Sequence, residues 1–416
     1  MKQARVNNYE DVQSILKDIN WNFYQTFFSG NGELNPFDTR KHIAYPSTYV
    51  PEIPFTLIDV LTKPGASVLD PFSGSGTTFF QALILNRTPY VSDICEVSIE
   101  FARSLYILFN KNHNLRKIPS QIRQIAVGYD PFVNYSNQIA KKFPFIEILR
   151  GWYAEQTFNM LCYLFKEMDK LKDDSTKAAL NIALMSLTKY ACSQDRGWGC
   201  IADNMIPKKN QLKEKNVFKT LINKVNVLIN DIENRTCILD TKYKNLYDKS
   251  TSAKLFFHGD VRNWQEIKIE SIDCIITSPP YPNMTDYITS QRLNYYFLNS
   301  DPDIEKFKET GARFRRARIY SNDEYFRDIS MINIRLAEIL KPGGYLCLIL
   351  PEFDTFHKRD AKRKNIIQNL IDNLENIGLV KRDIFERILP SMTRSHNQKW
   401  ATLKKEKIYI YQKIAK

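Results

Sequence analysis

The strongest constraint on this chain is that its strand-like segments fall into two groups, separated by a long helical stretch. In the first group, Ser67-Val68-Leu69-Asp70 reads as a short apolar strand. A glycine-containing turn follows, Pro71-Phe72-Ser73-Gly74-Ser75-Gly76, and Thr77 to Leu85 reads as a helix. Pro89-Tyr90-Val91-Ser92-Asp93 is a second strand ending in an acid. This is a β-turn-α-β unit, the start of a doubly wound sheet. Residues 104–250 are then mostly helical by apolar spacing, as in Phe158, Leu161, Leu164, Phe165 and Met168. Strand patterns resume at 254–260, Ile272–Thr277, Gly344–Leu350 and Lys407–Gln412. The expected fold is α/β, with one mostly parallel sheet interrupted by a long helical insertion. Residues 1–39 form a helical and looped extension, 40–103 with 254–416 the split sheet domain, and 104–253 the insertion. In the extension, Trp21, Phe23, Tyr24, Phe27 and Phe28 are expected to pack on the main core.

Composition narrows the function classes. The 416 residues carry 59 Lys+Arg against 46 Asp+Glu, a net charge of +13, which points weakly to a polyanionic partner. No run approaches the length of a membrane span, and the first residues lack the apolar centre of a secretory signal. A cytoplasmic protein without a membrane partner is expected. The seven cysteines and five histidines are dispersed, with no Cys-x-x-Cys pair. Reduced thiols and no metal site are the expectation.

Two segments carry chemistry. Asp70 to Thr78 places glycines between a strand and a helix N-terminus, where the backbone can approach a ligand. No lysine follows the glycines, which excludes a phosphate-binding P-loop, and no third glycine completes a dinucleotide fingerprint. Asp93 ends the next strand, where an acid commonly grips ribose hydroxyls. The second segment, Thr277-Ser278-Pro279-Pro280-Tyr281, follows an apolar strand. Its prolines remove backbone donors and fix φ, leaving rigidly aimed carbonyls beside a hydroxyl and an aromatic ring. Such a set can accept hydrogen bonds from an amino group while Tyr281 stacks on a planar base.

These segments resemble the S-adenosylmethionine-dependent DNA amino-methyltransferases of bacterial restriction-modification systems, which methylate cytosine N4 or adenine N6. The likeness covers about residues 40–103 and 254–416. Weaker matches stand in the expected order: Lys41–Pro46 with Tyr49-Val50-Pro51, His258-Gly259-Asp260, and Leu340–Gly344. The resemblance implies a Rossmann-like methyltransferase fold with S-adenosylmethionine as cofactor. It implies that Asp70, Phe72, Gly74, Gly76 and Thr77 hold the methionine part, Asp93 the ribose, and Asp260 the adenine edge. It assigns Ser278, Pro279, Pro280 and Tyr281 to catalysis on an extruded base of duplex DNA. Ser at the first position of the tetrapeptide looks more like the cytosine-N4 enzymes; the residues themselves allow either amino group. A cognate restriction endonuclease, acting separately, is the further partner the resemblance implies. The rival readings are an adenine-N6 enzyme, an RNA or small-molecule methyltransferase, and a catalytically dead nucleic-acid-binding module.

For DNA contact, Arg313, Arg315, Arg316 and Arg318 crowd a short segment after the catalytic motif. Ser391 to Trp400 adds Arg394, His396 and Lys399, groups able to read base edges or phosphates. Ser193 to Trp198, in the insertion, is a third candidate.

Overall fold

The computed structural model describes residues 9–22, 36–109, 114–193, 206–242, 255–353, 358–389, 403 and 405–414. Seven strands form one sheet: β1 (Ser67–Asp70), β2 (Thr88–Asp93), β3 (Phe256–His258), β4 (Ile272–Thr277), β5 (Leu340–Glu352), β6 (Leu379–Ile388) and β7 (Lys405–Lys413). Their order is β3-β2-β1-β4-β5-β7-β6. The run from β3 to β5 is parallel, and β7 lies antiparallel between β5 and β6. The chain leaves β1 toward β2 and β3, then returns to the other side of β1 as β4. That reversal opens a crevice at the carboxyl ends of β1 and β4, where open α/β sheets bind ligands.

Strand sequence explains the layering. Successive side chains point to opposite faces. Val68, Cys274, Ile276, Cys347, Ile349, Ile408 and Ile410 join one apolar cluster. Leu69, Ile275, Leu346, Leu348, Leu350, Tyr409 and Tyr411 join the other. Both faces are covered, so the central strands read as nearly unbroken apolar runs. The helices Ser321–Ile339 and Lys358–Asn376 cover the second face. The first face meets Thr77–Ile84 and Glu96–Leu108, and the inserted helices pack outside them.

The inserted helices do not stand apart. Leu161, Leu180, Leu184 and Leu228 belong to the same cluster as Val68 and Cys274. Phe165 stacks on Phe297 at 4.0 Å, and Thr188 Oγ1 donates to Asn294 Oδ1 at 2.7 Å. The insertion therefore touches the segment that follows the Ser-Pro-Pro-Tyr motif.

Two elements differ from the sequence reading. β6 lacks the apolar run expected of a strand because it is the sheet edge, where Lys381, Arg382 and Glu386 face outward. β5 begins at Leu340, before the Pro-Gly-Gly turn, and its register with β4 jumps from Ile272↔Leu340 to Cys274↔Tyr345. The glycines absorb that irregularity, with Gly343 at φ +80. In the extension, Trp21 is buried and stacks on Phe385 at 5.2 Å, whereas Phe23, Tyr24, Phe27 and Phe28 lie outside the described residues. Among the described residues, no helix is long and apolar enough to cross a membrane.

Candidate active site

The crevice at the sheet reversal is an open cleft. Its floor is the glycine turn, and its walls come from three distant stretches of chain: Tyr45–Tyr49, Ser278 with Pro280, and Tyr287 with Glu309–Thr310. Gly74 sits at φ +51, and a methyl group there would meet the Tyr45 ring at 3.2 Å. Glycine is thus needed both for the backbone conformation and for the approach of the tyrosine.

Asp93 anchors the floor. Gly74 N donates to its Oδ2 at 2.7 Å and Cys95 N to its Oδ1 at 2.8 Å. Burial nevertheless pushes its carboxyl up to about 6. Each oxygen keeps a further lone pair, so the carboxylate can also accept from a ligand hydroxyl. Ser73 Oγ, also on the cleft wall, is buried with no protein partner. An orphaned hydroxyl, a floor only glycine permits and a buried acid fit a polar ligand with a nucleoside part.

Asp70 is held by donors of the protein itself. It is 1% exposed and lies off the cleft wall. Its Oδ1 accepts from Phe72 N at 3.1 Å and from Thr277 Oγ1 at 2.7 Å, and its Oδ2 from Tyr49 Oη at 3.2 Å. The acid ties the end of β1 to the end of β4 and to the Tyr45–Tyr49 wall. Gly76, at φ +71, precedes the helix and also lies off the wall. Asp260 caps a short turn, is clamped by Arg262 with N–O distances down to 2.6 Å, and is likewise off the wall. Phe72, Gly74, Thr77, Asp93, Ser278 and Pro280 are on it.

Pro279 and Tyr281 adjoin Ser278 and Pro280 without lining the cleft themselves. Tyr281 is 9% exposed, and its hydroxyl donates to Glu406 Oε1 at 3.0 Å while accepting from Ser278 Oγ at 3.4 Å. Tyr325 Oη donates to the Pro280 carbonyl at 2.9 Å, which fixes the turn. The segment beyond is stitched down: Asn283 N donates to Gly311 O at 2.9 Å, and Phe314 N to Asp286 Oδ1 at 2.8 Å.

Glu309 carried no sequence signal. It is 2% exposed, accepts from Tyr287 N at 2.9 Å and Ile288 N at 2.7 Å, and burial pushes it up to about 8. The folded state therefore binds this proton more tightly than the unfolded chain does. Stability should fall as pH rises from about 4.5 to about 8 and level off above. Asp93 adds to the same slope at its lower end. At about 1.4 kcal/mol per pKa unit the drop amounts to several kcal/mol. Denaturant melts across pH 5–9 should show it, and Glu309→Gln should flatten the curve; an unchanged slope in that variant would assign the effect elsewhere.

Arg313, Arg315 and Arg316 lie on a short 3-10 turn that Arg318 ends, tied to the segment after the Ser-Pro-Pro-Tyr motif through Arg313 N and Thr285 O, at 3.3 Å. Arg316 and Arg318 are exposed; Arg315 is half-buried and donates to the Phe307 carbonyl. Arg394, His396 and Lys399 lie outside the described residues, as does Ser193 to Trp198 beyond Ser193 itself. Among the described residues, no cluster of three metal-binding side chains occurs.

Comparison with known proteins bears on this cleft. A family model described as DNA methylase, of the N6/N4 methyltransferase type, matches residues 6–121, the stretch that holds the Tyr45–Tyr49 wall, the glycine turn and Asp93. Type II methyltransferase M.BsoBI of Geobacillus stearothermophilus is 27% identical over 281 residues, covering 62% of this chain and 52% of that one. The chain is similar to DNA amino-methyltransferases. Two further type II methyltransferases align as well. M.MvaI of Kocuria varians is 22% identical, covering 65% of this chain and 58% of its own. M.MjaII of Methanocaldococcus jannaschii is 20% identical, covering 88% and 86%. The chain thus spans little more than half the length of the first two relatives. A solved structure described as a putative DNA modification methylase of Thermus thermophilus aligns at 13% identity over 38% of this chain and 52% of that one, with a TM-score of 0.23. That overlap is too slight to add to the fold.

Proposed function

We propose that the protein is a site-specific DNA methyltransferase. It transfers a methyl group from S-adenosylmethionine to the exocyclic N4 of cytosine in duplex DNA and protects host DNA within a restriction-modification system. The observation that carries this reading is one cleft bounded by both the glycine turn with Asp93 and the hydroxyl of Ser278. A nucleoside-bearing donor and an amino acceptor can meet there.

When bound, S-adenosylmethionine supplies an electrophilic sulfonium methyl. Asp93 would hold its ribose hydroxyls, and the Gly74 backbone with Phe72 would lie against its methionine part. An exocyclic amino nitrogen is a weak nucleophile, because its lone pair is delocalised into the ring. Ser278 Oγ and the Pro279 carbonyl accept its two N–H bonds and turn the lone pair toward the methyl group. The site works by positioning and electrostatics. Tyr281 supports the base, which must leave the duplex to reach the cleft. Arg316 and Arg318 hold phosphates beside it.

Digestion of duplex DNA after incubation with protein and labelled donor tests this reading. Labelled N4-methylcytosine is expected. N6-methyladenine would move the target to adenine, and label in RNA but not in duplex DNA would overturn the DNA assignment.

A further inference from the structure

Behind Ser278 a line of hydrogen bonds runs away from the cleft into the sheet. Ser278 Oγ donates to Tyr281 Oη at 3.4 Å, and Tyr281 Oη donates to Glu406 Oε1 at 3.0 Å. Glu406 Oε2 accepts from Arg387 Nη1 at 2.9 Å. Arg387 and Glu406 are register partners on β6 and β7, and their side chains are 3% and 10% exposed.

The direction of these bonds follows from chemistry. An ionised carboxylate only accepts, so Tyr281 must donate to Glu406. The tyrosine oxygen then accepts from Ser278, and Ser278 is left with its lone pairs facing the cleft. Every donor in the line points away from the acceptor amino group. A buried Arg–Glu pair adds little stability over apolar side chains of the same size, so stability alone gives little reason to place it here.

We propose that Ser278, Tyr281 and Glu406 form a path for the proton the target nitrogen must lose, with Arg387 fixing its far end. This rests on the methyl-transfer function proposed above. As the carbon–nitrogen bond forms, the sulfur–carbon bond of the sulfonium donor breaks and its electron pair stays on sulfur. The nitrogen becomes cationic and one N–H bond breaks. That proton passes to Ser278 Oγ as the serine proton moves to Tyr281 Oη and the tyrosine proton to Glu406. The carboxylate ends as a neutral acid beside Arg387. After the products leave, the same steps in reverse return the proton to the cleft and to solvent. Glu406 and Arg387 act through Tyr281 and are positioning residues; of this path, only Ser278 touches the acceptor nitrogen.

The test is single-turnover methyl transfer to DNA, with cofactor and DNA affinities measured separately. Glu406→Gln can still accept from Tyr281 but cannot take up a proton. It should lose roughly 100-fold in transfer rate with both affinities unchanged, as expected for removing an acid–base group. Tyr281→Phe should lose as much, and the double variant no more than either. A wild-type rate in Glu406→Gln, or losses that multiply in the double variant, would overturn the path. If the unpaired arginine prevents Glu406→Gln from folding, Arg387→Met/Glu406→Gln carries the same comparison without a buried charge. No transfer by the unaltered protein would overturn the function and the path together; normal transfer by it with a full rate in Glu406→Gln overturns the path alone.

Discussion

Replacing Tyr281 with alanine should lower methyl transfer on the order of 100-fold while cofactor affinity stays within a few-fold. Stacking of a base on an aromatic ring is worth about 1–3 kcal/mol, and the ring also carries the hydroxyl that joins Ser278 to Glu406. The side chain is not part of the cleft lining around the glycine turn and bonds to Glu406 instead, so the donor should not feel its loss directly. The alanine leaves a cavity costing about 3 kcal/mol, so a melt must first establish that the variant is folded at the assay temperature. Asp93→Ala should behave in the opposite way. It removes the acceptor that holds Gly74 N and Cys95 N, and cofactor affinity should fall while saturating donor restores much of the rate. Titration calorimetry with S-adenosylmethionine separates the two. Equal loss of cofactor affinity in both variants would show that Tyr281 and Asp93 do not serve separate substrates.

The parts legible in the sequence were those whose meaning is local. Glycines between a strand and a helix, two prolines after an apolar strand and an acid ending the next strand can each be read within ten residues or so. The central strands were legible for the same reason, since burial on both faces demands unbroken apolar runs. What stayed hidden depends on partners far away in the chain. Glu406 meets Tyr281 across 125 positions, and in the sequence it is one acid among the lysines of an alternating strand. Glu309 sits in an equally ordinary charged stretch and becomes unusual only when the fold buries it beneath Tyr287 and Ile288. The insertion could be read as helical from its apolar spacing. Such a stripe says that a face will be buried but not against what, so its sharing of one core with β1 and β4 could not be read.

Asp70 makes the same point with a measurable consequence. An acid at a strand end reads identically whether it faces a ligand or a neighbouring strand, and its partner Thr277 is 207 positions away. As a brace, Asp70 holds Phe72, Thr277 and Tyr49 together, one from each side of the cleft. Asp70→Ala leaves Phe72 N and Thr277 Oγ1 without their acceptor, each costing about 1–3 kcal/mol when left unpaired, while Tyr49 Oη keeps Thr78 Oγ1. The expected loss is roughly 3–5 kcal/mol of stability, with cofactor affinity and transfer rate falling together. Asp70→Asn is the discriminating variant. Its amide oxygen can keep Phe72 N and Thr277 Oγ1, and its amide nitrogen can donate to Tyr49, whose hydroxyl is free to turn. Burial already pushes the Asp70 carboxyl upward, so loss of its charge is tolerable there. Asparagine should therefore keep most of the stability and hold cofactor affinity within a few-fold. Were Asp70 a direct charged contact to the cofactor, asparagine would lose affinity as fully as alanine. Denaturant melts and donor titrations on the two variants decide between these outcomes.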